Sequence, residues 1–162
     1  MGCAVTAISS GEGKREDAFA LGSDEFRDSK KISHAFTEGA AEGREDAQPA
    51  NINVLLITSN AVPKLETVLP LLARRATIVL MTIQMEPLEV PYMQFVLPGH
   101  RLIASTEASR ENHIKMPEFA ERKQIKPWTE VFEITAGGVA KAFERLEKGE
   151  MRCRGVLARS QA

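Results

Sequence analysis

Two apolar runs separated by an amphipathic segment dominate the middle of the chain. Residues 54–57 and 77–81 are nearly continuous stretches of aliphatic and β-branched side chains. Between them, leucine and valine recur at the i, i+3, i+4, i+7 spacing of one helical face, at Leu65, Val68, Leu69 and Leu72. Strands without polar–apolar alternation are typical of parallel strands covered on both faces. Residues 52–82 therefore predict a β-α-β unit buried on both faces, whose helix is short or bent because Pro70 lacks an N–H.

The rest of the chain continues this alternation of strands and helices. Strands are predicted at residues 3–8, 25–27, 101–105, 126–133 and 154–158. Helices are predicted at residues 14–21, 92–97 and 110–122, and around Val139, Ala142, Phe143 and Leu146. Ser10 and Ser109 are predicted N-caps, and Pro117 is expected to disturb its helix. The pattern predicts an α/β fold, a Rossmann-like, mostly parallel sheet flanked by helices.

One segment breaks the pattern. Residues 28–50 are rich in Lys, Ser, Glu, Gly and Ala and contain few large apolar side chains. Such a composition cannot bury enough apolar surface to order itself. It predicts a surface segment with at most one weak helix near residues 32–36.

Composition narrows the function classes. The chain has 162 residues, 43% hydrophobic and 27% charged, with a formal net charge of −1, so it has no general electrostatic attraction to nucleic acid. It contains no apolar run of the roughly 20 residues that a membrane helix needs, and no basic segment precedes the apolar start, which argues against a signal peptide. We expect a cytoplasmic protein that binds neither nucleic acid nor membranes. Cys3 and Cys153 form no metal-binding pattern.

One loop has the residue types of a phosphate site. The predicted first strand ends at Ser9 and Ser10, and the first turn of the next helix carries Lys14 and Arg15. Hydroxyls, free backbone N–H groups and a cation together suit a phosphate. The alternative is a helix cap with solvated basic residues, which is the more frequent outcome for such residues alone. The loop is not a GxGxxG motif, because Glu16 occupies the position of the third glycine.

The remaining candidate residues favour structural roles. The three histidines, His34, His100 and His113, have no partner at a ligand spacing and are predicted to lie on the surface. Trp128 and Phe132 are predicted to pack in the core.

Six short segments carry a family resemblance: residues 5–18, 21–26, 69–72, 86–89, 126–130 and 142–149. Each is short, but together they resemble the C-terminal half of the zinc-dependent medium-chain alcohol dehydrogenases, in the NADP-using branch that includes the cinnamyl alcohol dehydrogenases. Their order and spacing match that family from residue 5 to residue 158, apart from residues 28–50. No single segment identifies the family, but six segments in the same order and at the same spacing do so specifically.

The resemblance implies a nicotinamide dinucleotide, NADP, as the ligand. In this family an acid after the second strand binds the adenosine ribose, whereas small hydroxyl residues and a lysine receive a 2′-phosphate. The matching residues here are Ser9, Ser10 and Lys14. Other cofactor-side positions match Thr58, Ser105 beside the nicotinamide, and Arg154 near the pyrophosphate. The family also pairs the strand at residues 102–105 across a homodimer.

The sequence also differs from the family at positions that matter for cofactor and zinc binding. The sequence begins after the position of the family's first strand and its glycine-rich loop, so we expect an N-terminally truncated relative with weakened NADP affinity. The zinc of the intact family has no ligands here, which removes the Lewis acid of the reaction. Thr82, Ala104 and Ala108 replace family glycines. Because the missing strand would lie between residues 5–8 and 54–57, we expect two half-sheets with exposed edges.

Three hypotheses about function follow. In the first, residues 1–125 are a partial NADP-binding domain, and residues 126–162 are the segment that in the family returns to the catalytic domain. The whole is then the NADP-binding part of an oxidoreductase that interconverts aldehydes and primary alcohols by hydride transfer, inactive alone. The alternative is a non-catalytic nucleotide-binding or dimerisation module. The third is an unrelated α/β domain with a chance likeness.

Overall fold

The computed structural model of the chain describes residues 2–32 and 51–159. They form two compact units, Met1–Glu107 and Ala108–Ala162. The prediction for residues 28–50 can be compared only at its start, where residues 29–32 are helical, because residues 33–50 lie outside the described ranges. The division into 1–125 and 126–162 refers to the domains of the family and remains a prediction.

The first unit begins with a small parallel strand pair. Strand β1 (Thr6–Ser9) leads through a 3-10 turn (Glu12–Lys14) into helix α1 (Arg15–Ala20), and strand β2 (Glu25–Asp28) returns beside β1. The predicted N-cap at Ser10 is wrong, since Lys14 occupies the N-cap of α1 and no side chain caps it. The 3-10 turn moves the start of the helix away from Ser10.

The central β-α-β unit is confirmed. Strands β3 (Ile52–Ile57) and β4 (Leu72–Leu80) are parallel, and β5 (Arg101–Ala104) extends the sheet in the order β3-β4-β5. The connection between β3 and β4 contains helix α2 (Leu65–Val68) followed by a 3-10 turn (Leu69–Leu71). Pro70 lies in that turn, so the predicted shortening of the helix is also confirmed. Helix α3 (Tyr92–Val96) precedes β5.

One face of this three-stranded sheet is covered and the other is open. Ile57 and Ile78 pack against Leu65, Val68 and Leu69 on the covered face. On the opposite face the exposed apolar side chains are Val54 (56%), Leu56 (58%) and Ile103 (49%). The prediction of burial on both faces is therefore wrong for β3, because the helical connection packs on one side only.

The expected interruption of the sheet is confirmed for the described ranges. Strands β1 and β2 form one sheet and β3, β4 and β5 form another, and no strand joins them. In the classic dinucleotide-binding order 3-2-1-4-5-6, the first strand lies between the two halves. The observed orders are those of the two halves without that strand.

The second unit has its own parallel pair. It contains helix α4 (Arg110–Arg122), strand β6 (Thr129–Glu133), helix α5 (Ala136–Glu147) and strand β7 (Arg154–Ala158), with β6 parallel to β7. Ser109 caps α4 as predicted, its Oγ accepting a hydrogen bond from the N–H of Asn112 at 3.3 Å. Pro117 lies within α4 but does not end it.

The core prediction for two aromatic residues of the second unit is half correct. Phe132, inside β6, is buried. Trp128 is 37% exposed, so its predicted core position is wrong. It precedes the first residue of β6 and is not held in the sheet.

Candidate nucleotide-phosphate site

The loop after β1 is fixed by a buried carboxylate at the end of β2. Gly11 has a positive φ of 90°, a conformation that favours glycine. Its N–H donates to Oδ1 of Asp28 at 3.0 Å, and the N–H of Lys30 donates to the same oxygen at 2.9 Å. Asp28 is directly opposite Ser9 in the strand register. The loop is thus tied to β2 at the carboxyl ends of both strands.

Asp28 is committed to this structural role. It is only 6% exposed. Burial raises the pKa of its carboxyl group, but the backbone N–H groups of Lys30 and Gly11 and the charges of Lys31 and Lys30 outweigh that effect, so the pKa is lowered. The carboxylate is ionised at neutral pH and already accepts two hydrogen bonds.

The three predicted phosphate ligands all belong to this loop or to the strand end that precedes it. Ser9 ends β1 half-buried, Ser10 is exposed, and Lys14 is exposed at the end of the 3-10 turn. Within the described ranges, the Lys14 ammonium and the two serine hydroxyls have no hydrogen-bond or ion-pair partner. Two hydroxyls and one ammonium suit a phosphate monoester, so these side chains fit the group that the resemblance implies.

The sequence prediction missed Glu12, a carboxylate in the same loop. Its Oε1 lies 2.6 Å from Nζ of Lys31 and its Oε2 lies 3.2 Å from Nη1 of Arg15. The hydrogen bond from Lys31, with that from Arg15 and both positive charges, lowers the pKa of Glu12. The i,i+3 spacing with Arg15 was visible in the sequence. Lys31 was not an evident partner, because it is 19 residues away along the chain.

Two further predicted residues lie at the carboxyl edge of the three-stranded sheet. Thr58 directly follows β3 and Ser105 directly follows β5, and both are exposed. The strands are parallel and Ile57, Leu80 and Ala104 are in register. Thr58 and Ser105 therefore lie at the same edge, two strand spacings or about 10 Å apart.

Thr82, which replaces a family glycine, has a structural contact at this edge. Its Oγ1 lies 2.7 Å from the carbonyl oxygen of Ser59 and 3.2 Å from that of Ile57. The hydroxyl thus links the residues after β4 to the loop after β3.

Arg154 belongs to the second unit and is described separately. It is the first residue of β7, exposed and opposite Thr129.

The histidine prediction needs one correction. His113 is exposed as predicted, and His34 lies outside the described ranges. His100 is 8% exposed, with its Nδ1 buried and unpaired. It directly precedes β5, 6.0 Å from the Phe95 ring. The sequence did not indicate this burial. His100 directly follows Pro98 and Gly99, and residues next to such a turn are usually exposed.

Metal-binding groups and membrane-spanning helices are both absent from the described ranges. No group of His, Cys, Asp or Glu is arranged there to hold a metal ion, so these residues do not fit the zinc that the family resemblance implies. The thiols of Cys3 and Cys153 are free and exposed. None of the helices in residues 2–32 and 51–159 is long and apolar enough to cross a membrane.

The sequence and the structure of the chain are both similar to those of cinnamyl alcohol dehydrogenases. No family model matches the chain. Cinnamyl alcohol dehydrogenase 8 of Arabidopsis thaliana is 31% identical over 161 residues, 97% of this chain and 41% of the relative. The structure of the cinnamyl alcohol dehydrogenase SbCAD4 from Sorghum bicolor is 29% identical and superposes with a TM-score of 0.80 over 96% of this chain and 41% of its own.

A more distant structure shares the fold. CAD from Helicobacter pylori, solved in complex with NADP(H), is 20% identical, with a TM-score of 0.71 over 97% of this chain and 41% of its own. The chain thus spans about two fifths of the length of the relatives it matches. Over nearly its whole length, it matches the C-terminal half of the cinnamyl-alcohol-dehydrogenase-like alcohol dehydrogenases and has their Rossmann-like fold.

Proposed function

We propose that the first unit binds NADP, holding the adenosine 2′-phosphate with Ser9, Ser10 and Lys14. The observation that carries this proposal is one loop after β1 that contains the exposed ammonium of Lys14 and the hydroxyls of Ser9 and Ser10, none of which has a partner among the described residues. Asp28, the carboxylate at the end of β2, is buried and hydrogen-bonded to the backbone, so it is not free to select an unphosphorylated ribose. The NADP(H) complex of the Helicobacter pylori relative supports the same ligand.

The other matched residues have secondary roles in this proposal. Thr58 and Ser105 lie at the carboxyl edge of the β3-β4-β5 sheet, where open α/β sheets bind their ligands. We assign Ser105 to the nicotinamide side and Arg154 to the pyrophosphate, following the family resemblance.

The reaction that we propose belongs to an intact enzyme, of which this chain is the NADP-binding part: hydride transfer between NADP and an aldehyde or primary alcohol, in the cytoplasm. The proposed cofactor ligands lie among the described residues, which contain no metal-binding group, and a metal is the usual means of polarising the alcohol oxygen. We therefore infer that the chain alone binds NADP without oxidising alcohols. Oxidation of a primary alcohol by the purified chain with NADP would contradict this inference.

Fluorescence titration with NADPH tests the binding proposal. The unmodified chain should bind NADPH saturably and more tightly than NADH. Lys14→Glu should weaken NADPH binding at least tenfold, because it replaces an attractive charge by a repulsive one. Lys123→Glu makes the same charge change in the second unit and should leave the affinity unchanged. Equal binding of NADPH and NADH, or none of either, would refute the proposal.

A dimerisation module is the second candidate function. Strand β5 is an edge of its sheet in the described ranges and exposes Ile103. Free edge strands pair readily with other chains. Sedimentation of the chain should then show a dimer that Ile103→Lys dissociates, with NADPH affinity unchanged. A monomer at all concentrations would exclude this candidate.

A further inference from the structure

We propose that Glu12 is an internal counter-anion, whose carboxylate competes with a bound phosphate for Lys31 and Arg15 and so limits the affinity of the loop for phosphorylated nucleotides. This proposal rests on the NADP site proposed above and concerns its regulation by a neighbouring residue. It names a specificity-determining residue outside the three phosphate ligands.

Contacts on both carboxylate oxygens carry the argument. One oxygen contacts Lys31, in the helical residues after β2, and the other contacts Arg15, in the first turn of α1. Glu12 thus neutralises charge on two cations that converge on one loop from different elements. A phosphate that enters the loop must therefore displace the Glu12 carboxylate before it can pair with either cation.

Arg15 is held in position independently of Glu12. Its guanidinium carbon lies 5.6 Å from the ring centroids of both Phe19 and Phe26, in cation–π contact. Phe26 is a buried residue of β2. Arg15 therefore stays beside the loop when Glu12 moves, and its positive charge becomes available to a phosphate.

The cost of displacing Glu12 is small enough for a ligand to overcome. Glu12, Arg15 and Lys31 are each about half exposed, and exposed ion pairs are weak. The exchange breaks no covalent bond, since one anion replaces another beside the same cations. Removing the carboxylate should therefore raise phosphate affinity by about fivefold at low ionic strength, as expected for one charge a few ångströms away.

Calorimetric titration of the full chain with adenosine 2′-monophosphate tests this proposal, with adenosine as the uncharged comparison. Glu12→Gln should bind the monophosphate about fivefold more tightly than the unmodified chain, while adenosine binding stays the same. Glu16→Gln removes one negative charge from the same helical region without touching the Glu12 contacts. It should change the affinity much less.

A double-mutant cycle identifies the cation involved. In a Lys31→Gln background the gain from Glu12→Gln should shrink, because part of the competition is for Lys31. An equal gain in both backgrounds would overturn the role of Lys31.

The outcomes separate this proposal from the proposed function. Binding by the unmodified chain without a gain in Glu12→Gln overturns the counter-anion role and leaves the NADP site standing. Binding only by Glu12→Gln supports the counter-anion role and contradicts NADP binding by the natural chain. Absence of binding in every variant overturns both.

Discussion

The N–H of Gly11 donates a hydrogen bond to the carboxylate of Asp28 at 3.0 Å, joining the loop after β1 to the end of β2. The two residues are 17 positions apart in sequence. The bond fixes the loop that carries Ser10 and Lys14 to the edge of a sheet. The geometry of the proposed phosphate site therefore depends on a residue that is not one of the three proposed phosphate ligands.

Removing this carboxylate should loosen the loop. Asp28→Ala deletes the acceptor of two backbone N–H groups, Gly11 and Lys30, and should destabilise the chain by about 1–3 kcal/mol. Asp28→Asn keeps an acceptor oxygen and should cost less. Urea unfolding measures the stability, and NADPH titration should show weaker binding in the same order. Equal stability of Asp28→Ala and the unmodified chain would contradict the role of this bond.

The sequence predicted the parts of the fold that depend on local pattern. The β3–β4 unit was recognisable from its apolar runs, and Pro70 accounted for the short helix. The open face at Val54 and Leu56 was not predicted, because an apolar run does not reveal whether helices pack on one side or on both. Its cause is tertiary: the helical connection packs on the opposite face.

In the candidate site too, the sequence predicted the residues that are close along the chain but not the contacts between distant ones. Ser9, Ser10 and Lys14 are neighbours in sequence, so their meeting in one loop follows from the strand–turn–helix pattern. The contacts of Asp28 with Gly11 and of Lys31 with Glu12 join residues 17 and 19 positions apart. They depend on the return of β2 beside β1, which no local spacing encodes.

Burial of His100 should make stability depend on pH. Desolvation lowers its pKa below the ordinary value of 6.5. The unfolded chain therefore takes up the proton first, and stability is greatest above about pH 6.5 and falls as the pH decreases below it. Denaturant unfolding between pH 7.5 and 5 should show this decline.

Replacing the ring tests whether His100 is responsible. His100→Leu removes the titrating group and the unpaired Nδ1, so the pH slope should become shallower. His113→Leu replaces an exposed histidine and should leave the slope as it is. An unaltered slope in His100→Leu would assign the effect to other groups.

Two adjacent glycines of helix α5 should respond in opposite ways to the same substitution. A Cβ on Gly138 would overlap the backbone carbonyl oxygen of Glu133, whereas one on Gly137 would meet nothing within 4 Å. Gly138→Ala should therefore destabilise the chain by about 1–3 kcal/mol. Gly137→Ala should stabilise it slightly, by up to about 1 kcal/mol, through helix propensity. Thermal unfolding of the two variants compares them, and equal melting temperatures would refute the contact.

The open face and free edge of β3 should promote self-association. Leu56 is 58% exposed on this strand, which lies at the edge of its sheet in the described ranges. A lysine there adds charge to an edge strand, a common means by which proteins avoid edge-to-edge pairing. Leu56→Lys should therefore lower light scattering at high protein concentration, with little change in unfolding free energy.

The neighbouring residue provides the matched control. Leu55 points to the covered face, where it packs against the core formed by Ile57 and Ile78. Leu55→Lys makes the same chemical change one position away, but it places a charge against that core and should destabilise the fold and increase aggregation. Successive side chains of a strand point to opposite faces of the sheet, so the two substitutions should have opposite effects on aggregation. If both variants reduced scattering, net charge alone would explain the effect and the open face of β3 would not be the surface of association.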